Sequence, residues 1–264
     1  MKIAIIGVGN LGYSIAIGVL TQKNFKFKNL YLTKRETESL SAWEKLPNVK
    51  ISTDNKRAVR FSDIIIIAVQ PKQLSTVLEE IKEVVDAKKH TIISVVTGRK
   101  IEDIEKVLGN EVAIIRSMPN TAISVGQSMT CLSSNKKGSE NIEYAKTIFN
   151  SLGKTMCIEE RLMQAATVIC ASGIAFWMRL IRATTQGAIQ LGFDAKDAQE
   201  LSVQTCLGAA SLLIQSGSHP EQEIDKVTTP SGCTIEGLNE MEHQGLSSSL
   251  IKGLVTSFEK INQI

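Results

Sequence analysis

The sequence predicts an α/β fold: an N-terminal doubly wound (Rossmann-type) sheet followed by an all-α C-terminal dimerisation domain. Three observations carry this. Short, nearly continuous apolar runs alternate with helix-period stretches through the first half of the chain, as expected of βαβ units whose parallel sheet is covered on both faces. A glycine pattern, Gly7-Val8-Gly9-Asn10-Leu11-Gly12, separates the first apolar run from the first helical stretch. After about residue 160 the pattern changes to long helices with no convincing strand. The expected division is therefore 1–159, a dinucleotide-binding domain, and 160–264, a helical dimerisation and substrate domain.

In chain order, strands are expected at Ile3 to Ile6, Leu30 to Leu32, Ile64 to Val69, Thr91 to Val95 and Val112 to Arg116, with an edge strand near Lys154 to Ile158. Helices are expected between them at Leu74 to Val85 and Ile101 to Leu108. In the second half, Met163 to Leu191 contains no proline and as one helix would span ~43 Å, longer than a small domain needs for itself, so it asks for another subunit. Further helices are expected at Ala195 to Gln215, Thr234 to Glu242 and Ser247 to Ile261, with Gly192, Gly217-Ser218-His219-Pro220 and Gly245 as stop signals.

Composition narrows the class. The 264 residues suffice for two domains, and 43% hydrophobic with 22% charged residues is ordinary for a globular enzyme. A net charge of +3 without a long basic block points to neither nucleic acid nor an anionic membrane as partner. Cys131, Cys157, Cys170, Cys206 and Cys233 are scattered without a C-x-x-C pair, which reads as reduced thiols of a cytoplasmic protein. The first residues read as a strand rather than a leader. The apolar stretch Ala165 to Met178 is shorter than the about 20 residues a membrane span needs and is expected to be a buried helix.

The chemistry-bearing residues follow from this frame. Gly7, Gly9 and Gly12 have the G-x-G-x-x-G spacing that turns a strand tightly into a helix and brings backbone, with Asn10 and Leu11, close to a pyrophosphate. The second strand ends in Leu32-Thr33-Lys34-Arg35. No acid stands there for a ribose 2′-hydroxyl, while the Arg35 fork suits a 2′-phosphate, so NADP (NADPH) is expected, with NAD as the alternative. Val69-Gln70-Pro71 follows another strand and should border the cofactor, and Asn120 in Met118-Pro119-Asn120-Thr121 can offer its amide to nicotinamide or substrate. Thr228, Thr229, Ser231, Gly232, Cys233 and Thr234 form a hydroxyl- and glycine-rich loop before a helix, a nest for a carboxylate or a helix cap. No cluster has metal-ligand spacing, so no metal is expected. His90, His219 and His243 read as surface or capping groups, and Trp43 and Trp177 as packing groups.

The segments Gly7-Val8-Gly9-Asn10-Leu11-Gly12, Ala68-Val69-Gln70-Pro71, Met118-Pro119-Asn120-Thr121, Ala171-Ser172-Gly173 and Val227 to Ile235 occur in an order and spacing that resembles pyrroline-5-carboxylate reductase across essentially the whole chain. The resemblance implies NAD(P)H-dependent reduction of L-1-pyrroline-5-carboxylate, a cyclic imine, to L-proline, in an interlocked homodimer that often assembles further. It also implies that Asn55 lies near the adenosine ribose and Thr234 beside the imine. The chain departs from the family pattern at Gln70 (usually Lys), Ile174 (Pro), Arg182 (Glu), Ser231 (Gly) and Cys233 (Thr).

Two other readings share the architecture. A β-hydroxyacid dehydrogenase or other imine reductase has the same plan, but the dehydrogenase uses a lysine on its long interdomain helix, and Met163 to Leu191 has none. A non-catalytic NADP-binding sensor or scaffold would keep the glycine turn and lose the reduction.

Overall fold

The apolar runs of the first half form the middle of one sheet. In the computed structural model, which describes residues 1–21 and 27–261, the strands are β1 (Lys2–Ile6), β2 (Asn29–Thr33), β3 (Val49–Ser52), β4 (Ile64–Ile67), β5 (Thr91–Ser94), β6 (Ala113–Met118), β7 (Ser128–Ser134) and β8 (Gly153–Cys157). Their order is β3-β2-β1-β4-β5-β6-β7-β8. All neighbours pair in parallel except β6 and β7. The order reverses between β1 and β4, which places a crevice beyond the carboxyl ends of these strands.

Alternate residues feed two cores. Ile3 and Ile5 of β1 join the cluster that holds Ile15 and Val19, whereas Ala4 and Ile6 join the one that holds Leu74, Leu78 and Ile104. The run Ile64-Ile65-Ile66-Ile67 is buried throughout, since a strand covered on both faces has no polar side to show. The covering helices are α1 (Asn10–Thr21), α2 (Asn55–Arg60), α3 (Leu74–Ile81), α4 (Ile101–Leu108), α5 (Lys136–Glu140) and α6 (Ile142–Asn150).

Contacts divide the chain into two units, Met1–Ser172 with the residues from Lys260 onward, and Gly173–Glu259. After α7 (Met163–Ala166) comes a π-helical turn, Thr167–Ser172, and then α8 (Gly173–Gln190). The single regular helix expected from Met163 is thus interrupted. Thr167 Oγ1 donates to the Met163 carbonyl at 2.8 Å, competing with the regular ladder at the point where it slips by one residue. The second unit continues with α9 (Ala195–Ser216), α10 (Pro220–Val227), α11 (Cys233–His243) and α12 (Leu246–Ile261). Gly217, left-handed at φ 65°, ends α9, and His219 with Pro220 then starts α10, so the stop signal is also a start signal.

Three expectations need correction. The stretch Ala165 to Met178 is buried only in part: Ala166, Thr167, Val168 and Gly173 are buried, whereas Ile169, Trp177 and Met178 are exposed. The helix Glu160–Gln190 is long and apolar enough to cross a membrane by length and composition. His90 is not on the surface. It is 3% exposed, and its Nδ1 accepts the Asp86 N–H at 2.9 Å, closing the turn before β5 from the inside.

Burial holds the His90 imidazole below its ordinary pKa, helped by the Lys89 charge and opposed by Asp86, Asp63 and the Ser62 backbone. A depressed folded pKa contributes stability above the unfolded value of about 6.5 and loses it as pH falls through the folded value. The urea midpoint should therefore drop as pH is lowered from about 7.5 toward 5. His90→Gln should flatten this acid limb, and an unchanged limb would remove His90 as its cause.

Candidate active site

The turn after β1 is built by close backbone approach. Gly7 is left-handed at φ 91°, and a Cβ there would meet Val69 Cγ1 at 2.5 Å. A Cβ on Gly12 would meet the Gly7 carbonyl oxygen at 2.5 Å, so α1 can lie against the turn only without a side chain. A Cβ on Gly9 would meet nothing within 4 Å. That open space lies over the start of α1, where backbone N–H groups are unpaired by the helix itself.

A cleft of about 840 Å³ opens from this turn along the carboxyl ends of β1, β2, β3 and β4. Gly7, Gly9, Thr33, Lys34, Arg35, Asn55, Val69 and Gln70 all line it, and the structure therefore brings together most of the residues singled out for a cofactor. Asn10, Leu11 and Gly12 form the first turn of α1, and Pro71 begins a 3₁₀ turn leading to α3; these four support the wall rather than line it. Lys34 Nζ donates to Ser39 Oγ at 2.8 Å. Arg35 is exposed and, among the described residues, has no ion-pair partner, which leaves its guanidinium as the rim's free fork.

Asn55 is strung between two partners. Thr33 Oγ1 donates to Asn55 Oδ1 at 2.7 Å, and Asn55 Nδ2 donates to Glu80 Oε2 at 2.9 Å. Glu80, Thr53 and Thr76 line the cleft and were not singled out from sequence. Thr76 and Glu80 stand four residues apart on the polar face of α3, a spacing that could have marked them once α3 was placed beside β4.

Asn120 has an inward task. Its Oδ1 accepts the Ala122 N–H and its Nδ2 donates to the Cys170 carbonyl, both at 2.9 Å. The amide thus ties the turn after β6 to the π-helical turn, leaving one N–H for a ligand.

The hydroxyl-rich loop belongs to the second unit. Thr228 Oγ1 donates to the Asp225 carbonyl, and the Gly232 N–H donates to the Thr229 carbonyl. A Cβ on Gly232 would press on the Thr229 hydroxyl and approach its carbonyl, so a side chain fits there only if Thr229 turns away. Ser231 is left-handed at φ 56°, a conformation that suits the glycine of the family pattern better than serine. Gly232 is the N-cap of α11 and supplies no side-chain cap. Thr234 is therefore inside the first turn rather than capping it. Its hydroxyl is exposed and has no hydrogen-bond partner among the described residues. The first N–H groups of this helix, beside that hydroxyl, have no acceptor within the helix.

Comparison with known proteins points to one family over the helical half and to a nucleotide-dependent oxidoreductase over the first strands. Residues 160–264 match the family described as pyrroline-5-carboxylate reductase dimerisation, and residues 2–98 match the one described as NADP oxidoreductase coenzyme F420-dependent. The chain is 47% identical to pyrroline-5-carboxylate reductase 1 of Dictyostelium discoideum over 98% of its own length and 49% of that protein, so it spans about half of that relative. It is 43% identical to pyrroline-5-carboxylate reductase 2 of the same organism over 98% of this chain and 91% of the other. The crystal structure of Plasmodium falciparum pyrroline carboxylate reductase with NADP bound superposes with a TM-score of 0.89 at 27% identity, covering 100% of this chain and 97% of that one.

The glycine geometry separates two variants. Gly9→Ala should fold with its melting temperature unchanged and lose NADPH affinity by about tenfold or more, because the added methyl enters the space the pyrophosphate needs. Gly12→Ala should lower the melting temperature as well, because its methyl meets backbone. Equal melting losses, or full NADPH affinity in Gly9→Ala, would contradict the reading of the turn.

Proposed function

The chain belongs to the pyrroline-5-carboxylate reductase family, whose reaction is the NADPH-dependent reduction of L-1-pyrroline-5-carboxylate to L-proline, the last step of proline biosynthesis, and we propose which of its residues do this work. The observation that carries the reading is the cleft at the carboxyl ends of β1, β2, β3 and β4, with a glycine turn at one end and, at its rim, an arginine that has no ion-pair partner among the described residues. The residues present fit NADPH. Gly7, Gly9 and the start of α1 would hold the pyrophosphate, Arg35 with Thr33 and Lys34 the 2′-phosphate, Asn55 the adenosine ribose, and Val69 and Gln70 would border the chain of the cofactor.

When bound, NADPH supplies a hydride, and the protein's own task is to hold the imine and provide for its proton. A cyclic imine accepts a hydride well once its nitrogen is protonated. The N–H groups of Cys233, Thr234 and Ile235 at the start of α11 bind the substrate carboxylate, and the loop Thr228, Thr229, Ser231 and Gly232 shapes the nest around it. The Thr234 hydroxyl hydrogen-bonds the imine nitrogen. A hydroxyl is too weak an acid to protonate it alone, so Thr234 orients the ring and relays a proton from water. Cys233 and Ser231 replace residues that are usual in the family without removing any backbone donor, so the nest survives those departures. Nothing in the structure explains Ile174 or Arg182.

We further propose a cytoplasmic homodimer. The five cysteines are free, and the helices of residues 160–264 carry exposed apolar side chains, among them Trp177, Met178, Leu207 and Ile214, that a second copy would cover. Sedimentation should show an active dimer, and an active, stable monomer would remove this assembly.

Arg35→Ala should weaken NADPH binding by about tenfold and NADH binding little; equal losses in a titration would contradict the 2′-phosphate role. Thr234→Ala should lower kcat/KM for the imine by ten- to ten-thousandfold, roughly the span of a lost hydrogen bond and lost proton relay, with NADPH affinity unchanged. Steady-state rates and melting temperature on the same variant check this. Full activity in Thr234→Ala would reduce Thr234 to an exposed residue of the first turn of α11.

A further inference from the structure

We propose that Glu80 is a positioning residue for the adenosine end of NADPH, acting through Asn55. The proposal rests on the reading of the cleft as the cofactor site.

Glu80 stands near the end of α3 and lines the cleft. Among the described residues it has no ion-pair partner, although the neighbouring Glu79 and Glu83 pair with Lys82 and Lys56. Its hydrogen bond is to Asn55 Nδ2, at 2.9 Å. This fixes the direction of the whole string. An ionised carboxylate can only accept, so the amide must turn its nitrogen toward Glu80 and its oxygen toward Thr33. Thr33, 1% exposed at the end of β2, then donates its hydroxyl to Asn55 Oδ1 at 2.7 Å. Without Glu80 the two ends of the amide would be free to exchange.

Asn55 is available for this because the neighbouring Asp54, not Asn55, caps α2, accepting the Arg57 N–H. The oriented string leaves the cleft with one Asn55 N–H, the spare lone pairs of Thr33 Oγ1 and the second Glu80 oxygen. A ribose hydroxyl, which both donates and accepts, matches that set. The ribose is common to NADPH and NADH, so Glu80 serves both cofactors alike, whereas Arg35 distinguishes them.

The test is a fluorescence titration of NADPH and NADH against wild type, Glu80→Ala, Glu80→Gln and Thr33→Val, with melting temperature and steady-state rates on each. Glu80→Ala should raise Kd for both cofactors by a similar factor of about ten, the scale of one charge-assisted hydrogen bond, and raise KM for NADPH while kcat moves less than about twofold. Glu80→Gln keeps an acceptor toward Asn55 and should return Kd to within about threefold of wild type. Thr33→Val, cut from the other end of the string, should weaken both cofactors, NADPH somewhat more because Thr33 also borders the 2′-phosphate. Wild-type Kd in Glu80→Ala, or Glu80→Gln as weak as Glu80→Ala, overturns the proposal. If Glu80→Ala does not fold, Glu80→Gln and Thr33→Val decide: wild-type affinity in Thr33→Val overturns it. A wild-type protein that binds neither cofactor overturns the cofactor reading of the cleft instead.

Discussion

The contact on which the first unit depends is the approach of α1 to the turn after β1, where the Gly12 position lies against the Gly7 carbonyl and Gly7 itself lies against Val69 and Ala68. No side chain fits at either place. Because β1 and β4 are adjacent, the same contact locks the turn of one strand to the turn of the other. It sets the floor of the cleft at the point where the strand order reverses. The apolar faces of β1 and β4 then need only ordinary core packing to hold the floor in place, with each fully buried isoleucine contributing about 1.5–3 kcal/mol.

From that floor outward, the cleft is specified by direction more than by charge. Gly9 keeps space open, the Thr33–Asn55–Glu80 string fixes which atoms face inward, and Arg35 stands at the rim without a competing partner among the described residues. The second unit makes its own site on the same principle. Gly232, the left-handed Ser231 and a helix start without a side-chain cap leave N–H groups and the Thr234 hydroxyl exposed on one short stretch, the groups proposed to receive a small anion with an imine. In the proposed roles, backbone donors at both places meet the anionic part of a ligand and one side chain selects it.

Local pattern made much of this legible. Continuous apolar runs marked β1, β4 and β5, α4 runs over the expected Ile101–Leu108, and the glycine spacing marked the cleft floor. The strands β3 and β7 were not marked. Val49-Lys50-Ile51-Ser52 is too short and half polar, and Ser128 to Ser134 satisfies its buried hydroxyls within the fold, Ser128 and Thr130 bonding to one another at 3.1 Å. Glu80 was invisible because its partner Asn55 is 25 residues away in sequence and meets it only when α2 and α3 are side by side. The exposure of Trp177 and Met178 escaped for the opposite reason: periodicity reports an apolar face and says nothing about which molecule covers it.

Hydride transfer from NADPH to the imine carbon of L-1-pyrroline-5-carboxylate is the step that the fold serves. It is tested most directly by supplying NADPH deuterated at the nicotinamide C4 and analysing the product by mass spectrometry. L-proline should carry one deuterium on the former imine carbon and form in step with each cofactor oxidised. Cofactor that binds and remains unoxidised in the presence of the imine, or oxidation without labelled proline, would contradict it.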